Sequence, residues 1–124
     1  MDTRNKILTL DGAAALRGEI LLVTGTFDVL RVEHVREMET VRRRTPAAIL
    51  LAVVLPSPGA PLGDGARADM AAALRVIDYV VAANPGEVEL LIGSLKPIEV
   101  VRLEAAHARI YAHLIDHVRR RQDS

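Results

Sequence analysis

The 124-residue chain has no cysteine and no tryptophan, and its aromatic side chains are Phe27, Tyr79 and Tyr111. Without cysteine there is no disulfide framework, no thiolate metal site and no cysteine nucleophile. With so few rings, the core must be built from Val, Leu, Ile and Ala. These are abundant, because hydrophobic residues make up 50% of the chain. Excess charge of either sign is also missing: 16 Lys and Arg balance 16 Asp and Glu. Nothing global therefore draws the chain to nucleic acid or to an anionic membrane surface. The longest apolar run, Ala47 to Leu55, is too short to span a bilayer. The opening MDTRNKILTL is polar and holds no apolar signal core. These absences predict a cytoplasmic protein with no nucleic-acid and no membrane partner. The length suits one domain, residues 1–124, around one core.

What is present alternates. DGAAALRG reads as a short helix with Asp11 as its N-cap. EILLVTG is an apolar run rich in branched residues that ends at Gly25, the pattern of a buried strand. Residues from about Val29 to Arg44 read as a helix with Leu30, His34, Met38 and Val41 on one stripe, stopped by Pro46. AAILLAVVLP is a second buried strand, and SPGAPLGDGA a loop of Pro and Gly. RADMAAALRVI reads as a helix, DYVVAA as a third strand, NPGEVELLIGSL as a capped helix and IEVVRL as a fourth strand. EAAHARIYAHLIDHVRRRQ reads as a last helix. Strands separated by helical crossovers predict an α/β fold: a Rossmann-like, doubly wound parallel sheet in three α/β/α layers, one domain with a C-terminal helix.

In such sheets ligands sit beyond the carboxyl ends of the strands. The loop Thr24-Gly25-Thr26-Phe27-Asp28 falls there. Gly25 permits close backbone approach or a positive φ. The free amides and dipole of the following helix attract an anion. A turn alone explains the same glycine, a helix cap explains Asp28, and core filling explains Phe27.

Several motifs in order carry more. VTGTFDVL followed by HVREME resembles the Gly-x-Phe-Asp turn and His-x-Gly-His motif of the cytidylyltransferase-like nucleotidyltransferases. Within that superfamily the chain resembles the domain that adenylylates heptose 1-phosphate in lipopolysaccharide-core synthesis. KILTLDGAAAL looks like that family's lead-in helix, GAPL like its Gly-Arg-Pro-Leu loop, ARADMAAALRVIDYVV like its Arg-containing helix and next strand, and LKPIEVVR like its Lys-Pro strand. The likeness runs from about Lys6 to Arg102. It implies a transferase that joins a nucleoside triphosphate, ATP or CTP with Mg²⁺, to a sugar phosphate and releases pyrophosphate. That chemistry rests on positioning and on neutralising charge as it develops. The implied phosphate and nucleotide contacts are Thr24, Gly25, Thr26, Phe27 and Asp28. The implied catalytic positions are His34, Arg31 at the first motif histidine, and Arg102 at the motif lysine. No protein metal ligand is implied.

The departures from the pattern have a common direction. His-x-Gly-His reads Arg31-Val32-Glu33-His34. Arg31 keeps positive charge but changes shape and loses a titratable group. Glu33 puts a carboxylate where the glycine leaves room for nucleotide; at about 4 Å and an effective dielectric near 20, like charges cost about 4 kcal/mol. Ala60 replaces the loop arginine. Arg102-Leu103-Glu104-Ala105 replaces a Lys-Gly-Gly-Asp turn, and a late Ser/Thr-Arg motif is absent. Arg36 and Arg67 stand at basic positions of the pattern. Five losses together predict a domain that keeps the fold and has lost ordinary adenylyl transfer. The alternative is an active or nucleotide-binding transferase with a rebuilt site.

In the last helix, Ile110, Leu114 and Val118 form a stripe widened by Tyr111 and Ile115. It serves either packing on the chain's own sheet or a homodimer face. His113 and His117 are four apart and offer two metal ligands, but no third is evident, and His107 has no assigned role. Arg42-Arg43-Arg44 and Arg119-Arg120-Arg121 close helices, where they complement the dipole. Glu33 is better spaced to pair with Arg36 than with Arg31.

Overall fold

The computed structural model describes residues 3–27, 32–58 and 63–103. A 3-10 turn, Thr3–Lys6, leads into a two-residue strand β1, Ile7–Leu8. There follow α1, Leu10–Ala14; β2, Ile20–Gly25; α2, Val32–Arg44; β3, Ile49–Val54; α3, Asp64–Ala72; β4, Tyr79–Ala82; α4, Pro85–Leu95; and β5, Glu99–Arg102. All strand pairs are parallel, and the sheet runs β1-β4-β3-β2-β5. The doubly wound α/β sheet expected from the alternation is the fold found.

The layers follow from side-chain alternation along the strands. Leu21, Val23, Leu50, Ala52, Val54 and Val101 point to one face, where Met38 and Val41 of α2 and Ala68, Ala71 and Ala72 of α3 cover them. Ile20, Leu22, Leu51 and Val53 point to the other, against Ala13 of α1 and Val88 and Leu91 of α4. The central strands β2 and β3 bury both faces, which is why their sequences read as unbroken apolar runs. Right-handed crossovers account for the distribution. The chain steps from β2 through β3 to β4 with α2 and α3 on one face. It then returns past β2 to β5 with α4 on the other. The direction of winding reverses between β2 and β5, so the switch point lies at their carboxyl ends.

Local signals explain most boundaries. Asn84 caps α4: its Oδ1 accepts from Glu87 N at 2.8 Å while Asn84 N donates to Glu87 Oε1 at 2.9 Å, a reciprocal capping box with Pro85 in the first turn. Other boundaries differ from those the sequence predicts. Thr9, not Asp11, caps α1, because the Thr9 hydroxyl accepts from Gly12 N at 3.1 Å; Asp11 sits in the first turn, where it complements the dipole. Ile7–Leu8, inside the stretch resembling a lead-in helix, is instead an edge strand aligned with Val80 and Val81. The sheet therefore has five strands rather than four. Helix α3 starts at Asp64, three residues before Arg67, and ends at Ala72 instead of running to Ile77. The carbonyls beyond it are taken by side chains. Lys6 Nζ donates to Leu74 O at 3.2 Å and Ile77 O at 3.0 Å, and Arg42 Nη1 donates to Val76 O at 2.9 Å. The expected start of α2 near Val29 and the last helix, with its dimer face, His107, His113 and His117, lie outside the described residues.

Arg42 also closes a network at the amino-terminal edge of the sheet. Its Nη1 lies 2.5 Å from Asp78 Oδ2 and its Nη2 3.2 Å from Oδ1. Asp78 Oδ2 in turn accepts from Leu50 N at 2.8 Å. The carboxylate thus serves both an ion pair and the backbone of a strand. Asp78→Ala should cost about 1–3 kcal/mol, because the buried Leu50 N–H loses its acceptor. Asp78→Asn, which keeps an acceptor oxygen, should cost distinctly less. Urea unfolding midpoints of the two variants check this; equal losses would mean that only the ion pair matters.

Candidate functional site

The glycine turn emerges where the topology reverses. Thr24 is fully buried on β2, aligned with Val53 on one side and Arg102 on the other. Gly25 ends the strand, and its carbonyl accepts from Leu55 N at 2.8 Å. A Cβ built on Gly25 would sit 3.4 Å from both Leu103 Cβ and Phe27 Cε2. The space left by the missing side chain is thus lined by two apolar groups of the chain itself. Phe27 is buried and carries φ +54°, an uncommon backbone for a bulky L-residue. Such a conformation costs about 1–3 kcal/mol and persists only where its surroundings over-determine it.

One of those surroundings is Arg67. It is 1% exposed, in the middle of the face of α3 that also buries Ala68, Ala71 and Ala72. Its Nη1 donates to Thr26 O at 2.6 Å and to Leu55 O at 2.7 Å. These carbonyls belong to the loops that follow β2 and β3. A single guanidinium from α3 therefore ties the two loops beside the switch point and fixes the peptide preceding Phe27. The sequence marked Arg67 only as a basic position within a resemblance. Its burial was legible from spacing: Arg67 and Ala71 are four apart, and Ala68 and Ala72 flank them on the same stripe.

Past the turn, Glu33 is exposed in the first turn of α2. There its carboxylate offsets the positive end of the helix dipole, the same feature that would attract a phosphate. Glu33 and Arg36 form no ion pair with each other among the described residues. His34 follows, half-buried, on the second position after the helix begins. Arg102 ends β5 on the opposite sheet face from Val101, and its Nη2 lies 3.5 Å from Glu89 Oε1 of α4. Both groups are well exposed, so this contact contributes little to stability. The structure thus brings Thr24, Gly25, Thr26, Phe27 and Arg102 to one end of the sheet, with His34 on the helix that leaves it. Asp28 and Arg31, along with Ala60 and Glu104-Ala105, lie outside the described residues. Among the described residues, no cluster of three His, Asp or Glu is arranged to hold a metal. Nor is any helix among them long and apolar enough to cross a membrane.

A doubly wound parallel sheet with a glycine turn at its switch point is the architecture of Rossmann-like nucleotide proteins. The comparisons narrow the class. The chain is 28% identical over 109 residues to the bifunctional protein HldE of Alcanivorax borkumensis, a match that covers 82% of this chain and 23% of that protein. This chain therefore corresponds to about a quarter of that relative. A crystal structure of a lipopolysaccharide core biosynthesis protein from Thermoplasma volcanium GSS1 shares the fold, with a TM-score of 0.57 and 18% identity over 66% of this chain and 71% of that one. No family model matches the chain. Together, sequence likeness and shared fold relate the chain to the cytidylyltransferase-like nucleotidyltransferase superfamily.

Arg67→Met should remove the tie between the two loops while keeping an apolar stem. The loss of a buried charge-assisted pair of hydrogen bonds should cost about 3 kcal/mol. It should also speed amide exchange at Thr26 and Phe27 relative to the centres of β2 and β3. Uniform acceleration across the sheet would mean that Arg67 stabilises the fold without specifically holding the turn.

Proposed function

We propose that this chain is a nucleotidyltransferase-like domain whose adenylyl-transfer chemistry has been dismantled. The observation that carries the reading is Glu33 in the first turn of α2. A carboxylate there supplies the negative charge that a triphosphate would otherwise bring to the helix end. It stands where the superfamily motif has its glycine. Two further features support the same reading. The Cβ direction of Gly25 is filled by Leu103 and Phe27 rather than open to a ligand. Arg102, at the motif lysine position, contacts Glu89.

The competing reading is an active transferase with a rebuilt site that takes ATP or CTP with Mg²⁺ and a sugar phosphate. What favours it is retention of His34 on α2 and of the Arg67-tied turn. In that reading, Thr24, Gly25, Thr26, Phe27 and Asp28 cradle phosphate, His34 and Arg31 neutralise charge, and Arg102 clamps the leaving pyrophosphate. A protein acting without nucleotide would work through a partner or a second copy of itself, consistent with placement in the cytoplasm.

Thermal unfolding with ATP, CTP and a hexose phosphate, each with and without Mg²⁺, separates the two. A dismantled site gives no stabilisation by either nucleotide beyond that given by inorganic pyrophosphate at equal concentration. A specific ligand at 100 times its dissociation constant would add about 2.7 kcal/mol. If the rest of the pocket is intact, the double change Arg31→His with Glu33→Gly should create a nucleotide-specific shift; no gain would mean that the pocket is closed for other reasons, such as Leu103 and Phe27 over Gly25. A nucleotide-specific shift already present in the unmodified chain would establish the competing reading.

A further inference from the structure

The sheet edge opposite the glycine turn carries a second constellation. Arg42, Arg43 and Arg75 line one groove of ≈ 440 Å³ together with Glu39, Pro46 and Val76. The groove lies between the last turns of α2 and the segment joining α3 to β4. Arg42 is fixed by its two contacts with Asp78 and by its bond to Val76 O, and Asp78 answers its charge. Arg43 and Arg75 differ. Both are exposed, and neither makes an ion pair or a side-chain hydrogen bond among the described residues. Glu39 stands four residues before Arg43, the spacing that favours a helical ion pair, yet it does not close on it. With Arg42 and Asp78 offsetting each other, two cations face one carboxylate.

We propose that this groove binds a small phosphorylated molecule, with Arg43 and Arg75 on the phosphate and Val76 and Pro46 against its carbon skeleton. The guanidinium fork matches phosphate oxygens and binds them through charge-assisted hydrogen bonds. A phosphate monoester carries nearly two negative charges near neutral pH, which matches two guanidinium groups that have no carboxylate partner among the described residues. The groove volume falls within the range of small-ligand sites. Arg42, immobilised by Asp78 and Val76 O, gives the groove one wall that need not be ordered on binding. None of these residues belongs to the glycine turn, so the proposal stands apart from the fate of nucleotide transfer.

The test is a titration of the ¹⁵N-labelled full chain with a hexose phosphate, with the unphosphorylated hexose as control. The Nε–Hε resonances of Arg43 and Arg75 report directly. A saturable shift of both, absent with the free sugar, is expected. Arg43→Ala with Arg75→Ala should weaken affinity about tenfold or more, the loss of at least one charge-assisted hydrogen bond. Both positions are exposed, so circular dichroism should show the fold retained. Glu39→Gln should act in the opposite direction and tighten binding a few-fold, because it removes a like charge. No saturable shift at millimolar probe would overturn the proposal. So would an affinity indifferent to the double substitution, or shifts confined to the amides of Gly25 and Thr26.

Discussion

The turn after β2 depends on one buried cation. Arg67 reaches from α3 beneath the loops and holds Thr26 O and Leu55 O at 2.6 and 2.7 Å. Buried peptide carbonyls need partners, and at the carboxyl ends of two central parallel strands the ladder no longer supplies them. By answering both carbonyls at once, Arg67 sets the spacing of the two loops and leaves Phe27 in its left-handed conformation. Phe27 can then fold its ring back beside Gly25, where Leu103 meets it. The geometry at the switch point is thus fixed from below by charge and closed from above by apolar contact.

Under the proposed function, that closure separates the scaffold of a nucleotide site from its capacity to bind phosphate. The scaffold of a nucleotide site persists: the reversal of winding, the glycine turn and a following helix whose amino terminus faces the same end of the sheet. In the proposed reading, the features that make such a scaffold attract phosphate are altered one by one. A carboxylate offsets the helix dipole at Glu33, and Arg102 is drawn toward Glu89. Neither change disturbs the layers, because both side chains are solvent-exposed and make no core contact.

The sequence revealed the fold wherever burial dictates residue type. β2 and β3 bury both faces, so their apolar runs are unmistakable, and the capping box at Asn84 announces α4. It hid the fold wherever a distant partner decides. Ile7–Leu8 is too short for any periodicity to show, and it becomes a strand because Val80 and Val81 offer an edge. The end of α3 is set by Lys6 and Arg42, which lie far away in the chain and claim the carbonyls that a longer helix would have used. The site was legible in the same divided way. Glycine, phenylalanine and histidine spacing pointed to the turn and to α2. The role of Arg67 as a tie between loops, and the filling of the space over Gly25, needed the third dimension. The arginines closing α2 showed the same division. Their place at the helix end was readable, but the sharp difference between Arg42, which is locked to Asp78, and Arg43, which lacks a partner among the described residues, was not.

Under the proposed function, the turn at the switch point does not receive nucleotide. The measurement that bears on it most directly is residue-resolved: amide and imidazole chemical shifts of Gly25, Thr26 and His34 during titration with ATP and Mg²⁺. A dismantled site predicts that these three remain unperturbed even if arginine resonances elsewhere respond to the phosphate chain. Saturable movement of the Gly25 and Thr26 amides together with the His34 ring would contradict it. That result would favour the competing reading, a transferase that binds nucleotide.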